Sequence, residues 1–338
     1  MLRFLQIFTL LCLPILGFSQ QEKDAYALGV EGVTLIDEGN FDEGIKLLKQ
    51  ARNLEPADYD YSFEIGRAYL KSGNAKKAEK FLFTLQYHIN VQPDLFVTLA
   101  NCYAEMNEEK KTPDEENKKE LDALRYGIKK FPNSGVLYLE LAKRKIEMEK
   151  TVEGLAVFET GIQKAPNFAE NYFWAAKLLK ASGNYLWGWI YAETCLNMTD
   201  DAELFRSCAI LVSSCTEVVF SPNWNAQSEK MNQSLRNVLA EKCNSEPTEI
   251  ADLAEKRQCL LSEWNYKSHA ASALFNRMKL LDEQGFLDSY LASMLNETDK
   301  SSFLKWLPEN IQSFEAYRSW RYWNPMELKS PVTRISNH

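Results

Sequence analysis

The sequence predicts an all-α chain: an α-solenoid of tandem helical hairpins followed by a helical C-terminal segment. Three observations predict it. Glycine (14) and proline (11) are scarce in 338 residues, too few for the turns of a β-sandwich and consistent with long helices. Turn markers recur with a 34-residue period across 25–202. Beyond that, apolar residues fall at three-to-four spacing, the stripe of a helix packed on one side. The composition, 45% apolar and 25% charged, is that of a folded globular chain. A net charge of −8, from 39 basic and 47 acidic side chains without a basic run, makes nucleic acid a poor candidate partner, since that affinity comes from Lys and Arg meeting phosphates.

The first element is a targeting segment. Residues 1–19 read MLRFLQIFTLLCLPILGFS: Arg3 gives the positive start, Phe4 to Phe18 the apolar stretch, and Gly17 and Ser19 the small residues before a cut. This is the pattern of a secretory signal peptide cleaved after Ser19. Fifteen largely apolar residues interrupted by Pro14 fall short of the roughly 20 that a spanning helix needs. Cys12 follows Leu11, where a lipoprotein signal carries a small residue. The ending Phe18-Ser19-Gln20 is similar to signals of Gram-negative envelope proteins. The expected product is exported, periplasmic or extracellular, and soluble or peripheral.

The repeat comes next. Gly39-Asn40 and Gly73-Asn74 are 34 residues apart, as are Pro132 and Pro166. Gly73 to Gly183 spans three periods and eight residues, and Pro56 to Pro132 spans two periods and eight. Both series need the same eight-residue insertion, which falls within 104–120, where EEKKTPDEENKKE reads as a polar loop. Five units follow: 25–58, 59–92, 93–134, 135–168 and 169–202. Their eighth positions hold Gly32, Gly66, Ala100, Ala142 and Ala176. Their twentieth hold Gly44, Ala78, Glu120, Gly154 and Gly188, and their twenty-seventh Ala51, Leu85, Gly127, Gly161 and Cys195. Small side chains there let two helices cross closely, with Leu48, Leu82, Leu124 and Phe158 as fillers. Glycine at the turn permits the left-handed backbone that ends the first helix.

A 34-residue period with two helical patterns per unit resembles the tetratricopeptide repeat. The resemblance implies stacked hairpins whose first helices line a concave groove for a peptide or helix of a protein partner. Carried over position by position, the groove-facing residues are Phe63 and Arg67, Thr98 and Asn101, Glu140 and Lys143, and Phe173, Trp174 and Lys177. The best-defined chemistry of that family is a clamp of Lys, Asn and Arg on a peptide's terminal carboxylate. Here Val97 stands where the clamp wants lysine, so that clamp is not carried over. What remains is a mixed groove. Phe173 and Trp174 suit an apolar side chain, while Arg67, Lys143 and Lys177 suit acidic groups. The alternative for Trp174 is packing against the neighbouring repeat.

Residues 203–338 form the C-terminal cap or domain. Helices are expected over 203–220, 226–243, 248–264, 267–283, 286–296 and 309–320, with breaks at Ser221-Pro222-Asn223 and at Asn244 to Pro247. Leu274 to Asn296, with Gly285 between its halves, has the outline of a degenerate further repeat. Its small positions, however, hold Met278 and Tyr290. The tail after Pro325 is expected to be extended. Phe314, Tyr317 and Trp320, at spacing three, read as a core stripe. Tyr322 and Trp323 read as a secondary surface, suited to stacking on sugars or docking a protein.

Seven cysteines include Cys12 in the signal; six in an exported chain make disulfides expected. Cys102 and Cys195 read as buried small residues. Cys208 and Cys215 lie about 10 Å apart on one helix at 1.5 Å per residue, too far to pair. If 226–243 and 248–264 form a straight hairpin, a bond between Cys243 and Cys259 needs a bent connection. The expected bridge therefore joins Cys208 or Cys215 to Cys243 or Cys259. No spacing supports a metal site.

The only histidines are His88, His269 and His338. No glycine-rich phosphate loop, GxSxG or HExxH is present. Glu263 and His269 lack a third group to orient them as an acid–base pair. The expected protein is a non-enzymatic interaction scaffold without cofactor, metal or membrane span. Its partner is a protein, within an envelope assembly; the alternatives are a glycan-binding envelope protein and a purely structural subunit.

Overall fold

The structure, a computed structural model, describes residues 24–108, 113–225, 230–243, 250–269 and 271–334. The expected signal peptide at 1–19, the expected break at Asn244 to Pro247, and His338 lie outside them. The described residues form sixteen α-helices and one 3-10 turn, with no strand. The chain divides into two compact units at Val91/Gln92.

The first unit holds α1 (Ala25–Asp37), α2 (Phe41–Leu54), α3 (Tyr59–Lys71) and α4 (Ala75–Leu85). Asp24 and Asp58 cap α1 and α3 by accepting from the Ala27 and Asp60 amides, each at 2.7 Å; such caps satisfy amides that the first turn leaves unpaired. Gly39 and Gly73 end the same helices at φ +86° and +73°. The next residues, Asn40 and Asn74, donate back to Leu35 and Tyr69 carbonyls at 2.8 Å, closing the helix end. A Cβ on Gly44 would lie 2.6 Å from the Gly32 carbonyl, so the hairpin crosses where only glycine fits. Ile36, Ile45, Leu48, Ile65 and Ala68 make the core, and Lys71 reaches Asp37 at 2.8 Å across the two hairpins.

The second unit continues with α5 (Asp94–Glu108), α6 (Pro113–Lys130), α7 (Gly135–Glu147), α8 (Thr151–Lys164), α9 (Ala169–Ala181) and α10 (Tyr185–Met198). These complete five hairpins. The 104–120 insertion departs from the expected loop: it lengthens the third hairpin, and α6 already begins at Pro113. Proline suits a first helical position, and Glu and Lys favour helix, so the polar run propagates instead of looping. Glu120, oversized for its small position, is buried and paired with Arg144. Lys145 is buried and reaches Glu153 at 2.7 Å. In the fourth hairpin Glu149 takes the turn glycine's place at φ +61°. Its successor Lys150 donates back to Lys145.

Six further helices belong to this unit: α11 (Ala202–Val219), α12 (Lys230–Glu241), α13 (Ile250–Glu263), α14 (Ser272–Glu283), α15 (Leu287–Thr298) and α16 (Lys300–Trp323). The helix expected from 267 starts instead after the 3-10 turn Tyr266–Ser268, and 309–320 is the inner part of α16. Pro308 sits inside α16 and removes one ladder bond without ending the helix. Gly285 turns the chain between α14 and α15 at φ +70°, but Met278 and Tyr290 are core residues rather than close-crossing points. The aromatic stripe is core: Tyr317 is buried, and Phe314 and Trp320 pack around it and Phe286.

At the centre of the unit lies a sealed polar cluster. Glu193, fully buried, accepts from Arg257 at 3.0 Å, from the Tyr290 hydroxyl at 2.7 Å and from the Trp189 indole. The Arg257 guanidinium lies 4.5 Å from the Trp189 ring centroid. The cluster ties α10, α13 and α15 together in one charged arrangement, since an unpaired charge at that depth costs several kcal/mol.

The disulfide is a correction. Cys243 and Cys259 are bonded, with α-carbons 5.8 Å apart, while Cys208 and Cys215 take no part in a disulfide and are buried, as are Cys102 and Cys195. The straight-hairpin premise fails because α12 crosses the end of α13. Ser234, early in α12, meets Trp264, while Lys242, beyond its end, meets Glu263. Cys243 lies past the last helical turn and is therefore free of the geometry that would have kept it away.

Candidate protein-binding surfaces

The expected groove residues fall in both units. In the first, Phe63 is buried and stacked on Tyr59 with centroids 5.5 Å apart, so it offers no open anchor. Arg67 folds over the Phe63 ring and pairs with Glu64 at 2.7 Å. Its charge is partly answered within its own helix.

In the second unit α5, α7 and α9 lie side by side as one layer. Asn101 on α5 accepts from Arg144 on α7 at 2.7 Å. Arg144 also binds Glu120 and, at 3.0 Å, Glu147. Those carboxylates raise the guanidinium's affinity for its proton, although its burial works against them. Asn101 is thus a fixed part of an ionic knot, 43 residues from its donor in sequence, and no spacing announces that knot.

The structure brings together Lys143, Phe173, Trp174 and Lys177. Trp174 is half-buried; its ring lies parallel to Phe158 of the preceding hairpin, 12° off plane and 6.5 Å away, and edge-on to Phe173 at 5.6 Å. Trp174 thus packs against the neighbouring hairpin, as one of its two readings expects, and keeps part of its surface exposed. The Lys177 ammonium sits 4.3 Å from the Trp174 centroid and 5.5 Å from that of Phe173. Lys143 lies 5.6 Å from the Trp174 ring and pairs with Glu140 at 3.0 Å. No carboxylate among the described residues pairs with Lys177. An ammonium held on aromatic faces gains about 0.5–1 kcal/mol at an exposed site and keeps its outward donors for an acceptor. The arrangement can hold a carboxylate next to an apolar side chain.

A second surface lies at the end of α16. Tyr322 and Trp323 are 71% and 78% exposed and meet edge to face at 4.9 Å. Trp323 borders an open groove of about 850 Å³ that Arg277, Leu280, Met326, Leu328 and Lys329 also line. Arg277 stacks on Trp320 at 4.5 Å and donates to the Asn324 carbonyl at 2.6 Å.

Glu263 pairs with Lys242 at 2.6 Å, and His269 stacks on Trp264 with centroids 5.3 Å apart. Among the described residues no group of three or more His, Cys, Asp or Glu side chains is arranged to hold a metal ion. No helix among them is long and apolar enough to cross a membrane.

The tetratricopeptide repeat family model matches residues 35–95. A thermophilic TPR protein from Thermus thermophilus is 16% identical over 56% of this chain and 99% of its own, with a TM-score of 0.44. MamA is 15% identical over 55% of this chain and 96% of its own, with a TM-score of 0.36. YrrB, described as a TPR protein with an unusual peptide-binding site, is 15% identical over 54% and 89%, at 0.34. No curated protein matches the sequence.

Proposed function

We propose that this chain is an exported, non-catalytic scaffold that binds a protein partner through the α5–α7–α9 layer of its second unit. The observation that carries the reading is Lys177. It is a cation pinned over Trp174 and Phe173 with no acidic partner of its own among the described residues. A cation without an acidic partner, seated on partly exposed aromatic rings, favours a segment that carries an acidic residue next to an apolar one. The family match over 35–95 supports a protein as the partner. The signal-like start at 1–19 supports export to the periplasm or beyond, and an envelope assembly is the setting we propose for it there.

Peptide selection on the immobilised full-length chain tests this. Enriched peptides are expected to carry Asp or Glu beside a bulky apolar residue. Trp174→Ala should abolish their binding, and Lys177→Glu should reverse the charge preference. Selection without acidic bias, or equal binding by Lys177→Glu, would refute it.

A second reading has one specific observation behind it, the exposed Tyr322–Trp323 pair above an open groove. Flat exposed aromatics stack on sugar rings, which makes a glycan ligand the alternative. Glycan-array binding lost on Trp323→Ala would support it.

A further inference from the structure

Residues 325–334 leave the end of α16 without helical structure, yet they do not lie free. The Leu328 amide donates to Asn167 Oδ1 at 2.7 Å, and the Leu328 carbonyl accepts from Asn167 Nδ2 at 3.2 Å. One side-chain amide thus reads both backbone groups of a single residue, as a neighbouring strand would, whatever side chain that residue carries. Met326 donates to the Asn197 carbonyl at 3.3 Å, and the Arg334 amide donates to the Tyr191 hydroxyl at 2.9 Å. Met326, Leu328 and Val332 are buried, while Glu327, Lys329 and Ser330 between them face solvent.

The far end is ionic. Arg334 makes two parallel bonds of 3.0 Å to Glu159. Glu159 is 1% exposed, whereas the arginine side chain keeps 31% of its surface open. The receiving carboxylate belongs to the helices and the cation to the extended segment. Without a cation there, Glu159 would be an uncompensated buried charge.

We propose that this channel across α8, α9 and α10 is a peptide-binding site filled in cis by the chain's own tail. Its ligand class is an extended protein segment with apolar side chains at the spacing of Met326, Leu328 and Val332, followed by an arginine two residues on. The tail behaves as a tethered occupant that a partner segment of the same chemistry displaces. Charge complementarity fixes that chemistry: Glu159 accepts from the neutral Tyr191 hydroxyl at 3.3 Å, and it is Arg334 that answers its charge. The site is separate from the Trp174 surface and does not rest on its reading.

The probe is a fluorescein-labelled peptide of residues 324–334, NPMELKSPVTR, titrated by anisotropy against the full-length chain. A tethered tail competes at an effective concentration of about millimolar. Wild type should therefore bind at least tenfold more weakly than full-length Leu328→Ala/Arg334→Ala, whose tail is loosened. Adding Glu159→Gln to that variant should cost at least tenfold, and the peptide carrying Arg334→Glu should not bind. A well-folded double variant that ignores the peptide overturns the proposal. If the double variant fails to fold, hydrogen exchange on wild type decides. Leu328 and Arg334 amides exchanging well before those of α10 support a displaceable tail. Exchange only through global unfolding makes the tail a permanent part of the fold and overturns it.

Discussion

Replacing Glu193 with Gln keeps the side chain's shape and removes its charge. Its two oxygens serve three donors: Arg257, the Trp189 indole and the Tyr290 hydroxyl. In either orientation the new amide turns an N–H toward one of them. Arg257, 2% exposed, is then a buried cation without its counter-ion. Breaking one side of such a pair costs about 3–5 kcal/mol, a large part of the 5–15 kcal/mol that holds a typical domain. With a urea slope of about 2 kcal/mol/M, the midpoint should fall by roughly 1.5–2.5 M. All eight tryptophans lie at or beyond Trp174, so their fluorescence reports unfolding of the second unit alone. The paired change Glu193→Leu/Arg257→Met should recover to within about 2 kcal/mol of wild type, because an apolar replacement leaves no charge stranded. A loss under about 1 kcal/mol for Glu193→Gln, at unchanged slope, would refute the idea that this cluster is dry and charge-paired.

Three further outcomes are expected. Glu149→Gly should stabilise the second unit by about 0.5–1 kcal/mol. It relieves the left-handed strain of a side chain at φ +61°, offset by glycine's freedom in the unfolded chain; a lower urea midpoint would contradict this. Lys71 holds the Asp37 carboxyl below its usual range. That stabilisation is therefore present above about pH 4 and lost as pH falls through the depressed value. An NMR titration of Asp37 that moves upward in Lys71→Met bears this out, and no movement refutes it. Burial pushes the Cys215 thiol up to about 11 and raises Cys195 as well. Neither should react with a maleimide at neutral pH until the protein is denatured, and rapid native labelling at either would show that the core opens.

The repeat was legible because close crossing of two helices forbids side chains at fixed intervals, and Gly32, Gly44, Gly154 and Gly161 mark those points in the chain. The Lys143–Phe173–Trp174–Lys177 set was legible because one layer of first helices gathers it. Phe63 was misplaced because its burial depends on how Tyr59 stacks over it, which no period encodes. The disulfide was missed because spacing along α12 and α13 says nothing of their crossing angle. Glu147 shares α7 with Arg144, but Asn101 and Glu120 come from α5 and α6, so no spacing along the chain announces their meeting. The tail has no periodicity to detect: Asn167 reads its backbone, and backbone leaves no trace in sequence.

The lone covalent link among the described residues has a consequence for how this protein meets a reducing agent. It encloses only 16 positions of sequence, and a loop that short is worth about 3 kcal/mol to the folded state. Opening it would unfasten α12 from the rim of α13 while every repeat hairpin kept its own packing. The response to reductant should be graded: proteolytic nicks near 230–250 first, with the hairpin array cut much later.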